Sequence, residues 1–177
     1  MNLILLSGNN KSNQQWIQEV EQTLKPLFEK TYIQKYRHWE TDADIIDLDF
    51  ELAELAKVAS TFGEYSIFAK SAGVLLTLQG ISEGVLNPKH CFFCGFPHSW
   101  AKMNNFAVDT WIRELSVPTL FIQKSHDPAM FYEDLVEYLT EKEDLIGYKT
   151  VELPGNDHNY NDLAKVKDLI TDFVSKF

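Results

Sequence analysis

A chain of 177 residues, 45% hydrophobic and 24% charged, can build one well-packed domain, is short for two of ordinary size, and is too apolar to stay disordered. Its formal net charge of −10, with acids and bases interspersed, speaks against nucleic acid or an anionic membrane surface as partner, because neutralising phosphates takes clustered Lys and Arg. The opening MNLILLSGNN has no basic segment and only a short apolar run. It reads as a first buried strand rather than a signal peptide or spanning helix, and the cytoplasm is the expected compartment.

Taken in chain order, Leu3 to Leu6 form the first strand, closed by Ser7-Gly8-Asn9-Asn10. Trp16, Val20, Leu24 and Leu27 recur at helical spacing and predict a helix from Asn13 to Glu29, with Pro26 placed to kink or shorten it. TYIQKYR reads as a second strand, near an edge because of its polar content. DLDFELAELAKVAST is a helix with an apolar stripe of Phe50, Leu52, Leu55 and Val58, and Asp47 or Asp49 can cap it. Tyr65 to Ala69 is the third strand and Ala72 to Ile81 a helix. HCFFCGF is the fourth strand, NNFAVDTWIREL a helix, PTLFIQ the fifth strand, and AMFYEDLVEYLTEK a helix. YKTVEL is the sixth strand, and DLAKVKDLITDFVSKF closes the chain as a helix. Strands and helices in strict alternation predict an α/β three-layer sandwich over residues 1–177. Its six-stranded sheet is mainly parallel, with right-handed crossovers wrapping helices onto both faces.

In such sheets the chemistry lies beyond the carboxyl ends of the strands. The segments there are SGNN, KSAG, GFPHSW, KSHDP and PGNDHNY. They put Ser71, Asp127 and His158 each at a strand end, in the order serine, acid, histidine. A serine hydroxyl is a poor nucleophile until a neighbouring imidazole takes its proton and a carboxylate orients that imidazole. The turn around Ser71 is short and flanked by the small residues Ala69 and Gly73, as a sharp strand-to-helix corner requires. The corner also leaves the Ala72 N–H at a helix start, where a developing oxyanion can be held. Asn9 or Asn10, after Gly8, is placed to supply a second donor.

In this arrangement the chain resembles an α/β hydrolase over nearly its whole length: first strand, oxyanion loop, nucleophile elbow, acid loop, histidine loop and closing helix. The small size and the GFPHS segment are most similar to compact, lidless members of the dienelactone-hydrolase-like group. The resemblance implies a minimal α/β-hydrolase fold lacking the early antiparallel hairpin and any cap domain. It implies Ser71 as nucleophile, Asp127 as acid, His158 as base, and the N–H groups of Ala72 and Asn9 as oxyanion hole. The activity implied is a serine hydrolase cleaving a small-molecule carboxylic ester or thioester, with no cofactor and no metal. Two positions depart from the family pattern: Ala69 stands for the first glycine of G-x-S-x-G, and Ser7-Gly8 for the usual His-Gly.

Other readings accompany these residues. Ser71 and Asp127 also suit plain turns, Asp127 standing before Pro128. Asp157 is a rival acid and His126 a rival base. Phe96, His98, Trp100 and Met103 read as pocket walls or as a small core beneath a loop. Lys70 either covers the elbow, pairs with a carboxylate, or recognises an acid group. Cys91 and Cys94 have CxxC spacing, but in a strand they point to opposite faces, and no second Cys/His pair accompanies them. A catalytically impaired binding module, with its oxyanion loop spoiled at Ser7-Gly8, is an alternative. A flavodoxin-like nucleotide or flavin binder using SGNNKSN is another, although that loop has one glycine and no P-loop pattern. No sequence feature specifies an oligomer.

Overall fold

The computed structural model describes residues 1–41, 43–142 and 145–176. Six strands, β1 (Asn2–Leu6), β2 (Thr31–Ile33), β3 (Tyr65–Lys70), β4 (Cys91–Cys94), β5 (Thr119–Lys124) and β6 (Tyr148–Leu153), form one sheet in the order β2-β1-β3-β4-β5-β6. Every pairing is parallel. Among the described residues seven α-helices connect and follow them: α1 (Asn13–Leu24), α2 (Leu48–Ala59), α3 (Ala72–Ser82), α4 (His98–Met103), α5 (Val108–Trp111), α6 (Tyr132–Thr140) and α7 (Leu163–Val174). No described helix is long and apolar enough to cross a membrane.

The core divides by strand parity, because successive side chains leave opposite faces of a sheet. Leu3, Leu5, Phe68, Phe92, Cys94, Leu120 and Ile122 pack with Ile17, Val20 and Leu24 of α1 and Val166, Ile170 and Phe173 of α7. Ile4, Leu6, Ile67, Ala69, Cys91, Phe93 and Phe121 pack on the other side against α2, α3, α5 and α6. The strands are buried on both faces, which is why they read as continuous apolar runs. The two cysteines fall in opposite layers, both free and buried. Burial pushes both thiols well above the usual range, so they serve as small core residues.

The chain moves from β1 outward to β2, then crosses β1 to reach β3 and continues the other way. The direction reverses between β1 and β3, so loops leave those two strands on opposite sides and open a crevice, the usual ligand site of an open α/β sheet. Leu6 and Ala69 are the last residues paired between β1 and β3.

Several boundaries differ from the sequence expectation. α1 stops at Leu24 and passes into a 3₁₀ turn at Lys25–Leu27, because Pro26 has no N–H to continue the helix. The second strand has three residues, not seven. Beyond it Tyr36 turns into the core, 1% exposed, and Arg37–Glu40 form a 3₁₀ turn. The expected helix over NNFAVDTWIREL is reduced to α5 and a 3₁₀ turn at Ile112–Glu114. An extra helix, α4, precedes it, so strict alternation fails between β4 and β5. Asp47 caps α2, its carboxylate accepting from Phe50 N. Phe177, the end of the expected closing helix, lies outside the described residues.

Candidate active site

β3 ends at Lys70 and α3 begins at Ala72, leaving Ser71 alone at the corner. Its backbone has φ 51° and ψ −116°, a conformation that costs a non-glycine residue about 1–3 kcal/mol and persists only where the surroundings impose it. Here they do. Ser71 N donates to Cys94 O of β4 at 3.2 Å, Val74 N donates to Ser71 O at 2.8 Å, and Gly73 N donates to the O of Ser7, just past β1, at 2.9 Å. The start of α3 is drawn so close to β1 that a β-carbon on Gly73 would stand 2.7 Å from Leu6 O. That contact accounts for the glycine. Ala69, where the family pattern has glycine, has its methyl in the core and aligns with Leu6 and Phe93. The sheet accommodates it.

Asp127 follows β5 and is fully buried. His158 follows β6, and its Nδ1 lies 2.8 Å from both Asp127 Oδ1 and Oδ2. Facing a carboxylate, Nδ1 is the nitrogen that carries a hydrogen, and Nε2 is the one free to face elsewhere. The carboxylate is held further by Ala129 N, donating to Oδ1 at 2.9 Å, and by Tyr160 Oη, donating to Oδ2 at 2.7 Å. Tyr160 Oη in turn accepts from Lys124 N at 3.1 Å. Burial, followed by the Asp127 charge, drives the Tyr160 pKa far up, so it stays a donor. Tyr160 was not among the sequence candidates. It lies two residues beyond His158 on the loop after β6, and the two rings meet edge to face with centroids 6.2 Å apart.

The rivals are engaged elsewhere. Asp157 pairs with Lys124 at 3.0 Å, and the exposed His126 ring packs on Phe131.

Ser71 and His158 line the same cleft, of about 360 Å³, with Gly8, Asn9, Asn10, Asn13, Lys70, Pro97, Trp100, Pro128 and Ala129. Of the four expected wall residues, Trp100 is there. Phe96 lies behind, 1% exposed, among Phe121 and Tyr138. His98 turns to Asp109 and the Tyr138 ring. Asp109 also accepts from Lys102 and Tyr138, and chiefly the Lys102 bond brings its pKa down to about 2. Met103 projects outward, 75% exposed. These three are not among the cleft residues.

Asn9 is fixed from four directions. Its carbonyl accepts from His38 Nε2 at 2.7 Å and Trp39 Nε1 at 2.8 Å. Its Oδ1 accepts from Ile46 N, and its Nδ2 donates to Asp44 O, both at 2.8 Å. Ala72, fully buried, is the first residue of α3, where N–H groups have no intrahelical acceptor.

No family model matches the chain, and no curated protein sequence matches it. Solved structures do. Est1E from Butyrivibrio proteoclasticus with bound ferulic acid aligns with a TM-score of 0.73 over 98% of this chain and 89% of that one, at 16% identity. A Pyrococcus furiosus esterase gives 0.77 over 99% and 82%, at 13% identity. A putative hydrolase of the alpha/beta superfamily from Xanthomonas campestris pv. campestris gives 0.73 over 99% of each chain, at 13% identity. The fold is that of the α/β hydrolases. Within that fold this chain is a compact version with no cap domain among the described residues.

Proposed function

We propose that the protein is a serine hydrolase that cleaves carboxylic esters or thioesters through an acyl-Ser71 intermediate. The observation that carries the reading is a buried, triply bonded carboxylate gripping the imidazole of His158 while Ser71, held at positive φ, opens on the same cleft. A plain turn serine would not need that strained corner, and a plain loop histidine would not need that carboxylate.

In the proposed mechanism His158 Nε2 takes the Ser71 hydroxyl proton as Oγ bonds to the acyl carbon. The N–H groups of Ala72 and Asn9 receive the oxyanion. As the bond to the leaving group breaks, the imidazolium returns its proton to the departing alkoxide or thiolate. Water then gives a proton to Nε2 and attacks the acyl carbon. The carbon–Oγ bond breaks, the acid leaves, and Ser71 regains its proton. Asp127 stabilises the charged imidazole and keeps its tautomer without being protonated itself.

The compact, capless architecture supports our reading of a dienelactone-hydrolase-like esterase acting on small or extended substrates. Two unpaired thiols in β4 suit the reducing cytoplasm, where we place it. The test is turnover of 4-nitrophenyl acetate and butyrate and of an acyl thioester. Native protein should hydrolyse at least one of them, with Ser71→Ala and His158→Ala reduced to background. Equal rates in native protein and Ser71→Ala would refute the reading.

A further inference from the structure

Lys70 ends β3 one residue before Ser71 and is 4% exposed, yet it lines the cleft. Its Nζ donates to Asn13 Oδ1 at 2.7 Å and lies 5.0 Å from the centre of the Trp16 ring. Among the described residues it forms no ion pair. The two carboxylates whose charge reaches it, Asp127 and Asp157, are taken by His158 and Lys124. A buried ammonium without a counter-ion is costly, and burial pulls its pKa below that of an ordinary lysine. An ammonium has three hydrogens, and Asn13 uses one.

Asn13 also lines the cleft and opens α1, a helix of 12 residues with no acidic residue in its first turn, whose start is bonded to neutral acceptors, Asn10 Oδ1 from Ser12 N at 2.8 Å and Asn10 O from Asn13 N at 3.0 Å. The positive end of the α1 dipole therefore falls beside the Lys70 charge. Asn13 Nδ2 spends one hydrogen on Asn10 O at 2.9 Å and keeps the other. In a chain of net charge −10, a concentration of positive potential and spare donors at the nucleophile answers a negative charge on the substrate. One ammonium and one amide suit a singly charged carboxylate. A phosphate dianion calls for more donors.

We propose that the cleft selects acyl substrates bearing a second, free carboxylate, which Lys70 and Asn13 hold beside the bond that Ser71 attacks. The substrate class is thus a half-ester or half-thioester of a dicarboxylic acid. The proposal rests on the serine-hydrolase reading and sharpens it.

Two measurements separate the claims. The first compares kcat/KM for mono-(4-nitrophenyl) glutarate with that for 4-nitrophenyl pentanoate in native protein, Lys70→Met, Lys70→Arg and Asn13→Leu. Native protein should prefer the charged ester by about ten- to hundredfold, the range of a charge-assisted hydrogen bond. Lys70→Met should erase the preference and Lys70→Arg should keep part of it. The ratio is taken within each variant, so a general loss of activity cancels. If Lys70→Met does not fold, Lys70→Gln and Asn13→Leu carry the comparison. The second measures the rise in melting temperature produced by glutarate, by glutaramide and by inorganic phosphate in Ser71→Ala and in Ser71→Ala/Lys70→Gln. Only glutarate with Lys70 present should raise it. A Lys70-dependent glutarate shift without hydrolysis of either ester would keep the carboxylate site and refute the hydrolase reading. Hydrolysis with no Lys70-dependent preference or shift would refute the proposal and leave the hydrolase standing. Stronger stabilisation by phosphate than by glutarate would also overturn it.

Discussion

Gly95 lies so close to His158 that a β-carbon there would stand 2.6 Å from the imidazole Cε1 and 2.9 Å from Tyr160 Cε2. Glycine after β4 is what lets the imidazole and the phenol both reach Asp127. Its φ of +66° would strain any larger residue as well. Gly95→Ala should cost roughly 2 kcal/mol or more of stability. It should lower kcat/KM by about a hundredfold through displacement of His158. Urea unfolding and steady-state kinetics on one preparation measure both. An alanine variant of native activity would show that His158 is not held in working position through this contact.

Tyr160→Phe removes one hydroxyl that serves two partners, the buried Asp127 Oδ2 and the half-buried Lys124 N. Asp127 Oδ2 keeps His158 Nδ1, so the loss of these two bonds should cost about 1–3 kcal/mol. The imidazole keeps its carboxylate, so kcat should fall by only about tenfold, far less than in a variant that loses Asp127. Thermal unfolding and kinetics of Tyr160→Phe beside Asp127→Asn test the ordering, which is contradicted if the two lose equal activity.

Trp39→Phe withdraws one of the two donors that fix the Asn9 carbonyl. If the Asn9 N–H serves the transition state, loosening it should lower kcat by about tenfold, with KM changed less than twofold. A change confined to KM would assign Trp39 to substrate binding instead.

The preference for a carboxylated ester should depend on pH through Lys70. Its pKa is lowered, chiefly by burial, while Cys94, Asp127 and Asp157 pull it up and Lys124 pushes it down. The preference should hold at neutral pH and disappear as pH rises through the lowered lysine pKa, earlier than for an exposed lysine. The ratio of charged to neutral ester kcat/KM against pH reads this directly. A ratio constant up to the range of an ordinary lysine contradicts it.

The parts of the fold that depend on short-range pattern were legible in the sequence. β6 spans Tyr148–Leu153 as expected, and Ser71 stands at a corner even tighter than the sequence suggested. The parallel sheet followed from the alternation of strands and helices, and Ser71, Asp127 and His158 each stand just past a strand end, as the segments after β3, β5 and β6 indicated. What the sequence concealed depends on contacts across the fold. TYIQKYR has strand-like composition, but the Tyr36 hydroxyl donates to Ser7 O and pulls the segment out of the sheet. His98, a pocket candidate by position, is claimed by Asp109 and Tyr138, which are far away in sequence. Tyr160 and Gly95 carry no local signal for their roles, because both are defined by distance to groups on other loops.

The central claim is that Ser71 is an activated nucleophile. The measurement that tests it most directly is intact-mass analysis after exposure to a fluorophosphonate, on native protein, Ser71→Ala and His158→Ala. The account predicts one phosphonyl adduct on native protein, located on Ser71, none on Ser71→Ala, and little or none on His158→Ala. Folded native protein that takes up no adduct, or takes it up at another residue, would contradict it.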